Sequence, residues 1–508
     1  MKSKLQRYKL LLFLLIFVVA LLAVFFSKFS YILGGLELLA IVLCGYLVFF
    51  DKREASSKFA WVLTLLFLPL FGIILYFLIG KEPHQRKLPV QQIENEQRLQ
   101  RFVSELLQKH PEIIRNEHEL SREIYHLSSK YPTNANNVQV LNEGEAAFTQ
   151  LLDDIAQAQH HIHVFFFIIK GDETGRALTR ALVKKAKQGI QVRFMYDSLG
   201  SIAFPNKLLD DLRSQEVEVR TYDLLNSPLL SNKANWRNHR KMVIIDGKIA
   251  HVGGMNIGNE YRGKGKRFVN WRDTNIRLMG PSVIEVQECF IYDWLFLDKS
   301  EETLEYFLAK GTNYFPIVKN ETSDSEIVQV VYGGPYDPER VIKDSFVDLI
   351  GKATRSIRLA MPYFIPDEET LGALRRAARC GIEVQLIIPG KGDRGVSFHG
   401  TNSFINTLLS AGVEVYAYDR TSFIHCKCMI IDGHIATVGS TNFDIRSFYL
   451  NHELSLFIYG PSAAVETLDE QFSADLKKSL RINKEIQERR TLLTKTKEKI
   501  SALFAPIL

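Results

Sequence analysis

The sequence predicts an α/β protein, in which N-terminal transmembrane helices precede two α/β sandwich halves that form one catalytic body with pseudo-twofold symmetry. Three observations support this prediction. The first 80 residues contain three long apolar runs, and the rest of the chain carries a strand–helix–strand pattern twice. A polar motif also occurs twice, first as NHRKMVIIDGKIAHVGGMN and again as IHCKCMIIDGHIATVGSTN, 186 residues further along. Because polar as well as apolar residues keep their register, the repeat indicates a duplicated fold carrying a duplicated site.

Composition sets broad limits on the protein class. The 508 residues are enough for two or three domains. A hydrophobic content of 46% with 24% charged residues excludes collagenous and disordered classes. The net charge of +6 permits an anionic partner (a lipid surface, a phosphate substrate or a nucleic acid) without requiring one. The five cysteines are too sparse for a disulfide framework.

Residues 1–80 are predicted to form a membrane anchor. The apolar runs cover residues 10–26, 31–50 and 59–79. A bilayer-spanning helix needs roughly 20 apolar residues, so the second and third runs are long enough and the first is borderline, which leaves two or three spans. A cleaved signal peptide would account for the first run only. Pro69, inside the third run, is tolerable in a membrane helix, where neighbouring groups can satisfy the backbone.

The rest of the chain divides into a polar segment, two halves and a C-terminal extension. Residues 81–132 are predicted to be a linker and a surface helix. In the halves, 133–315 and 325–485, a short apolar strand leads into an amphipathic helix and then into a β-branched strand, an order that implies parallel crossovers. Residues 486–508 read as a basic helix with an apolar tip. This helix either caps the second half or contacts anionic lipid head groups.

The doubled motif has the residue types that phosphoryl transfer needs. Residues two apart on a strand share a face, so each copy presents a His and a Lys together. Two ammonium groups and two amides suit phosphate oxygens. One imidazole can attack phosphorus while the other protonates the leaving oxygen, and the roles then reverse for an incoming alcohol. This scheme runs through a phosphohistidine and requires no metal. The residues concerned are His239, Lys241, Asn256, His425, Lys427 and Asn442.

Carboxylates near the motif are assigned two different roles. Each catalytic imidazole needs an acceptor on its second nitrogen to fix its tautomer. Asp273 follows His239 by 34 residues and Glu453 follows His425 by 28, which makes each acid the candidate within its own half. Asp246 and Asp432 stand beside a Gly at a hairpin turn, on the opposite strand face. They are predicted to hold the turn and its neighbours in place.

These residues resemble the phospholipase D superfamily, whose signature His-x-Lys-x4-Asp is present twice in full. Within it, segments such as WRDT, PYFIP, IIPGKGD and GSTNFDIRSFYLNHE are similar to bacterial cardiolipin synthases, in the same order. The likeness extends from about Tyr31 to Leu508. It implies that both halves are phospholipase D-like. The catalytic residues that it implies are His239, Lys241, Asp246, His425, Lys427 and Asp432.

The resemblance also implies a reaction. One phosphatidylglycerol is attacked at phosphorus, glycerol leaves, and a second phosphatidylglycerol accepts the phosphatidyl group to give cardiolipin. No cofactor is implied, and the expected partner surface is the anionic bacterial cell membrane, with the protein as a multi-pass enzyme. Two positions depart from the family pattern. Phe165 stands where an acidic residue is usual, and Met361 where a small hydroxyl residue is usual.

Three other functions are compatible with parts of this pattern: a hydrolase, a nuclease and a catalytically inactive scaffold. A phospholipase D-type hydrolase would use water as acceptor and release phosphatidic acid. A nuclease would favour aromatic residues among the basic ones at the rim, where this chain has Gly and the cations Arg262, Lys264, Lys266 and Arg267, so nucleic acid is not an expected partner. These cations are candidates to contact lipid head groups. A catalytically inactive scaffold would not need to retain all four His and Lys residues. Cys426 and Cys428 are expected to pack behind the active strand and not to bind metal.

Overall fold

The computed structural model describes residues 34–51, 55–80, 90–115, 118–222, 236–297, 301–319, 325–337 and 339–503. Two compact units divide the described residues, one ending at residue 80 and the other beginning at residue 90. The first predicted membrane run, 10–26, and the apolar tip, 504–508, lie outside the described residues.

Three helices make up the described part of the N-terminal unit: α1 (34–49), α2 (Ala55–Phe67) and α3 (Pro69–Ile79). They enclose a small apolar core in which the rings of Trp61 and Tyr76 meet edge to face at 5.5 Å. The third predicted run is therefore two helices, not one. Proline lacks an N–H and fits the first turn of a helix, so Pro69 starts α3.

The surface of the N-terminal unit is strongly apolar. Phe49 is 80% exposed and Phe67 is 77% exposed, and they are joined by Phe50, Leu68, Leu70 and Phe71. None of the helices in the described ranges has both the length and the apolar character that crossing a bilayer demands.

The second unit contains 20 strands in its described residues. Those of the first half are β1 (Thr133–Leu141), β2 (His161–Phe166), β3 (Gln191–Asp197), β4 (Glu218–Tyr222), β5 (Arg237–Asn238), β6 (Lys241–Ile245), β7 (Ile249–Gly253), β8 (Trp271–Arg272) and β9 (Asn275–Met279). Those of the second half are β10 (Glu326–Gly333), β11 (Ser356–Ala360), β12 (Phe364–Ile365), β13 (Glu383–Ile388), β14 (Glu414–Tyr418), β15 (Phe423–Ile424), β16 (Cys428–Ile431), β17 (Ile435–Gly439), β18 (Phe443–Asp444), β19 (Asn451–Tyr459) and β20 (Ser479–Ile482).

Helices surround these strands. Before and within the first half lie α4 (Val90–Gln108), α5 (Glu119–Ser128), α6 (Gly144–Gln157), α7 (Glu173–Ala186), α8 (Asn206–Arg213), α9 (Val283–Leu297), α10 (Glu301–Ala309) and α11 (Gly311–Tyr314). The second half carries α12 (Val341–Gly351), α13 (Glu368–Arg379), α14 (Gly395–Ser403), α15 (Ile405–Ala411), α16 (Ile445–Tyr449), α17 (Ala463–Lys477), α18 (Lys484–Glu488) and α19 (Leu492–Leu503). Short 3₁₀ helices cover Pro111–Ile113 and Asn259–Arg262.

The two halves have the same strand order, which confirms the predicted duplicated α/β fold. It runs β1-β9-β7-β6-β2-β3-β4 in the first half and β10-β19-β17-β16-β11-β13-β14 in the second, with β20 at the edge. The antiparallel pair β1–β10 joins them. The parallel pairs β2–β3 and β11–β13 carry the predicted crossovers. Each crossover helix begins at an aspartate cap, Asp172 for α7 and Asp367 for α13, because its carboxylate accepts from backbone N–H groups of the first turn.

A single large core connects the halves. It contains Val252 and Ile276 from the first half and Val438 and Leu456 from the second. The segment predicted as linker and surface helix also contributes to it. Along α4, Leu99 and its neighbours at helical spacing are buried against α9, so this segment belongs to the body of the second unit. The C-terminal helix α19 packs on α14, as a capping helix would.

Candidate active site

His239 takes its carboxylate partner from the second half. Strand β5, just before it, pairs in parallel with β19, and the N–H of His239 donates to the carbonyl of His452 at 2.9 Å. This register puts Glu453 beside the ring. Its Oε1 lies 3.0 Å from Nδ1 of His239.

His425 takes its partner from the first half in the same way. Strand β15 pairs in parallel with β8, and the N–H of His425 donates to the carbonyl of Arg272 at 2.7 Å. Oδ2 of Asp273 then lies 2.7 Å from Nδ1 of His425. The pairing of each acid with the His of its own half, expected from sequence spacing, is therefore wrong. Backbone pairing between the halves exchanges the two acids.

Both imidazoles open into one cleft of about 980 Å³ in the second unit. His239, His425, Asn256 and Asn442 all line it. In each ring Nδ1 faces a carboxylate, so Nδ1 carries the proton and Nε2 is left as the reactive nitrogen. The structure thus brings the two copies of the motif together at a single site.

Burial sets the protonation of the imidazoles and of their partners. Loss of solvent lowers the pKa of His239 and of His425 to about 4. Burial by itself would raise the pKa of Glu453 and Asp273, but the adjacent imidazoles and lysines lower it overall. At neutral pH the site therefore holds neutral imidazoles on ionised carboxylates, which is the state that a nucleophilic nitrogen requires.

The two lysines lie next to the imidazoles, at 2% exposure each. Nζ of Lys241 donates to the carbonyl of His239, and Nζ of Lys427 donates to that of His425, both at 2.5 Å. Nζ of Lys427 also lies 3.3 Å from Nε2 of His425. Burial lowers the pKa of both ammonium groups. Lys427 is therefore close to where a phosphate on Nε2 of His425 would place its oxygens.

The two asparagines differ in their surroundings. Oδ1 of Asn256 accepts from the N–H of Ile168 at 3.0 Å, and its Nδ2 donates to the hydroxyl of Tyr261 at 2.9 Å. Oδ1 of Asn442 is buried and has no hydrogen-bond partner within the described ranges. Asn256 is therefore held by its neighbours, whereas the amide oxygen of Asn442 is left to accept a hydrogen bond from a ligand.

Asp246 and Asp432 hold turns, and neither lines the cleft. Asp246 accepts from the backbone N–H groups of residues 159–161 at 2.7–2.9 Å. Asp432 accepts from those of residues 354–356 at 2.7–2.9 Å. Both aspartates have φ of 55° and precede a Gly that is also left-handed. The motif counts both aspartates as catalytic. In the structure they connect the hairpins to the starts of β2 and β11 and do not reach the cleft.

The other residues of the motif strands, and the two positions that depart from the family pattern, do not line the cleft. Arg240 points away from the cleft, and its Nε donates to the carbonyl of Glu453 at 3.1 Å. Cys426 and Cys428 are buried, and no cluster able to hold a metal occurs in the part of the chain that the structure describes. Phe165 and Met361 are fully buried in the apolar cores, so neither departure from the family pattern changes the cleft surface.

The rim cations fall into two groups. Arg262 pairs with Glu145, its Nε lying 2.8 Å from Oε2, and so is committed to the protein surface. Lys264 lies 3.7 Å from the same carboxylate group. Arg267 donates to the carbonyls of Gly392 and Asp393 at 2.7 and 2.6 Å. Lys266 is exposed and, with Arg267, lines the cleft.

Sequence reasoning missed several residues around the imidazoles. His425 is surrounded by aromatic rings, with Trp271 at 5.4 Å and Tyr261 at 5.9 Å between centroids. The ring of His239 lies 4.9 Å from that of Phe167, and the lining of the cleft differs further in its charged residues Arg237, Arg394 and Arg446. Comparing positions 186 apart would have exposed part of this difference, because Arg237 corresponds to Phe423.

Known proteins resemble the chain over nearly its full length. A family model described as cardiolipin synthase, PLD-like domain, matches residues 151–266 and 346–476, and one described as phospholipase D-nuclease N-terminal matches residues 38–81. Cardiolipin synthase 1 of Bacillus cereus is 35% identical over 97% of this chain and 98% of its own. The major cardiolipin synthase ClsA of Bacillus subtilis is 37% identical over 94% and 99%.

A solved structure supports the fold independently. The phosphatidylserine synthase of Haemophilus influenzae superposes with a TM-score of 0.58 at 14% identity, covering 77% of this chain and all of that one. At this identity the likeness concerns the fold alone.

Proposed function

The chain belongs to the family of bacterial cardiolipin synthases with a phospholipase D-like domain, and from this membership we propose that its paired imidazoles transfer a phosphatidyl group between two phosphatidylglycerol molecules. The observation that carries the proposal is the pair of His–carboxylate contacts, His239–Glu453 and His425–Asp273, opening into one cleft. A double displacement needs two oriented imidazoles at one cleft, because one attacks phosphorus while the other donates and then accepts the proton.

The first step forms the covalent intermediate. Nε2 of one His attacks phosphorus of the donor lipid, a P–N bond forms and the P–O bond to glycerol breaks. The second His, protonated on Nε2, gives its proton to the departing glycerol oxygen. The phosphodiester anion favours this protonated state, because a negative charge close to an imidazole raises its pKa. Lys241 and Lys427 stabilise charge on the transferring phosphoryl oxygens.

The second step reverses the proton transfer. The now neutral second His takes the proton from a hydroxyl of the acceptor phosphatidylglycerol, and the hydroxyl oxygen attacks phosphorus as the P–N bond breaks. The product is cardiolipin, and both imidazoles return to their starting state. One phosphodiester is broken and one is formed, so the exchange needs no nucleotide to drive it.

The same proposal places the enzyme at a membrane. The exposed phenylalanines of α1 to α3 would be costly in water, and apolar surface of this extent marks lipid or protein contact sites. We expect the protein to be a multi-pass protein of the bacterial cell membrane, next to its anionic lipid substrate. It should stay in the membrane pellet after an alkaline carbonate wash, and release into the supernatant would contradict anchoring.

The test is an assay with a single lipid. Purified protein in detergent is incubated with radiolabelled phosphatidylglycerol, without nucleotide or added metal, beside His239→Ala and His425→Ala. We expect cardiolipin and glycerol from the unchanged chain and neither product from either variant. Phosphatidic acid as the main product would instead show that water is the acceptor and that the enzyme is a hydrolase of the phospholipase D type.

A further inference from the structure

Charge is distributed unequally between the two halves of the cleft. Arg237 stands two residues before His239, and the matching position before His425 is Phe423. Arg446 stands four residues after Asn442, and the matching position after Asn256 is Glu260. All these residues except Phe423 line the cleft. The pseudo-symmetry that repeats the catalytic residues is therefore broken at the positions next to them.

Arg237 is held so that part of its guanidinium remains available to a ligand. Its side chain is 4% exposed and pairs with the carboxylate of Asp197, which is fully buried. Within the described residues, its Nε and Nη1 have no hydrogen-bond partner. A buried guanidinium with unused donors is costly unless a ligand satisfies them.

Two further arginines, Arg394 and Arg446, line the cleft together with Arg237. Burial, together with the charges of Arg237 and Arg394, lowers the pKa of Arg446, so each of these two guanidinium groups is within electrostatic range of Arg446. Asp197 and Asp444 offset part of this charge. Asp444 is committed to the start of α16, where it accepts from the N–H of Ser447 at 2.7 Å, and burial raises its pKa to about 6. The group therefore keeps a net positive charge that suits an anion.

The position of this group fits a second phosphate. Arg237 and His239 project from the same face of one chain segment, with α-carbons roughly 7 Å apart for two residues of extended chain. The product contains two phosphodiesters joined through a three-carbon glycerol bridge, which can span a distance of that order. We propose that Arg237 and Arg446 form a subsite for the phosphodiester that the acceptor lipid already carries. This proposal rests on the proposed function.

The subsite explains how a lipid acceptor competes with water. The donor brings one phosphodiester, which the imidazoles and lysines hold. Water and simple alcohols bring none, whereas the acceptor phosphatidylglycerol brings a second. Planar guanidinium groups bind phosphate oxygens through paired donors, so the acceptor gains an anchor that small acceptors lack.

The test compares two acceptors for one intermediate. The protein is given radiolabelled phosphatidylglycerol in detergent with ethanol, and the ratio of cardiolipin to phosphatidylethanol is measured. Both products come from the same phosphohistidine, so the ratio does not depend on how fast it forms or on how much enzyme is folded. Arg446→Gln should lower the ratio about tenfold, as expected for loss of a charge-assisted contact. Arg446→Lys should restore part of it.

Two controls make the result specific. Arg358→Gln removes an arginine that pairs with Asp469 away from the cleft, and it should leave the ratio unchanged. A soluble acceptor pair, glycerophosphoglycerol against ethanol, removes any contribution of the acceptor's acyl chains. The unchanged chain should prefer the phosphorylated alcohol, and Arg446→Gln should lose that preference.

Each other outcome has a distinct meaning. A ratio that stays constant in Arg446→Gln, or a preference for glycerophosphoglycerol that survives it, would overturn the subsite. A fall in both products at constant ratio would assign Arg446 to the transferring phosphate and would also overturn it. If the unchanged chain makes phosphatidylethanol but no cardiolipin, the proposed function fails. Arg237→Gln is the weaker variant, because it leaves the Asp197 carboxylate buried without its partner.

Discussion

At the scale of single residues, the exchanged carboxylates determine which side chains act together. His239 and Glu453 are 214 positions apart in the chain, and His425 and Asp273 are 152 apart. Each contact is a charge-assisted hydrogen bond to a fully buried carboxylate, and its loss leaves a carboxylate or an imidazole without its partner. The catalytic units are therefore formed between the halves and not within them.

A double-mutant cycle on folding stability tests this exchange. His239→Ala and Glu453→Gln should couple by about 1–3 kcal/mol, because each change removes the same contact. His239→Ala and Asp273→Asn should be closer to additive. The free energy of unfolding of the detergent-solubilised protein gives both values. A larger coupling for His239 with Asp273 would contradict the exchange.

At the scale of elements, the two hairpins β6–β7 and β16–β17 have the same turn, so a glycine in one can be compared with its counterpart in the other. Gly247 and Gly433 both follow a left-handed Asp and have φ of 65° and 71°. A Cβ at Gly247 would lie 2.5 Å from the carbonyl oxygen of Tyr314, whereas nothing lies within 4 Å of one at Gly433. The same turn is thus packed against the chain in one half and open in the other.

We therefore expect Gly247→Ala to destabilise the protein more than Gly433→Ala. Both substitutions force a non-glycine residue to positive φ, at about 1 kcal/mol, and only Gly247→Ala adds a backbone clash. Thermal unfolding of the two variants, side by side, measures the difference. Equal losses of stability would show that the contact with Tyr314 carries no cost.

Much of this element-scale structure could be predicted from the sequence, and the limits have physical reasons. The strand–helix–strand pattern, the left-handed turns and the His and Lys positions follow from local periodicity and residue type. The partners of His239 and His425 do not, because they depend on which distant backbone segments pair. The burial of α4 does not follow either, since a helix with seven apolar residues among many polar ones resembles a surface helix until α9 covers its apolar face.

At the scale of the whole molecule, buried histidines make the free energy of unfolding depend on pH. Burial lowers the pKa of six of them, namely His161, His163, His239, His251, His425 and His452. In the unfolded chain these groups titrate near 6.5. Between about pH 4 and 6.5 the unfolded state therefore binds more protons, and stability falls as the pH is lowered through this range. Glu285, whose pKa burial raises to about 8, acts in the opposite sense between about pH 4.5 and 8.

His452 allows this dependence to be tested without touching the catalytic residues. Its ring lies among those of Tyr222, Phe296 and Tyr336, and neither ring nitrogen has a hydrogen-bond partner in the described part of the chain. His452→Phe should reduce the loss of stability between pH 6.5 and 5 by up to about 2 kcal/mol. Melting temperatures at the two pH values give the change, with surface His126→Gln as control. An unaltered pH dependence in His452→Phe would contradict this account.

The exchanged carboxylates also set the order in which the enzyme becomes active during its synthesis. A ribosome makes His239 long before it makes Glu453, so a growing chain that has not reached residue 453 holds an imidazole with no acid to orient it. Asp273, by contrast, is already present when His425 is made. A translation product that stops between residues 425 and 453 therefore contains His425 and its partner Asp273 but lacks the carboxylate that orients His239.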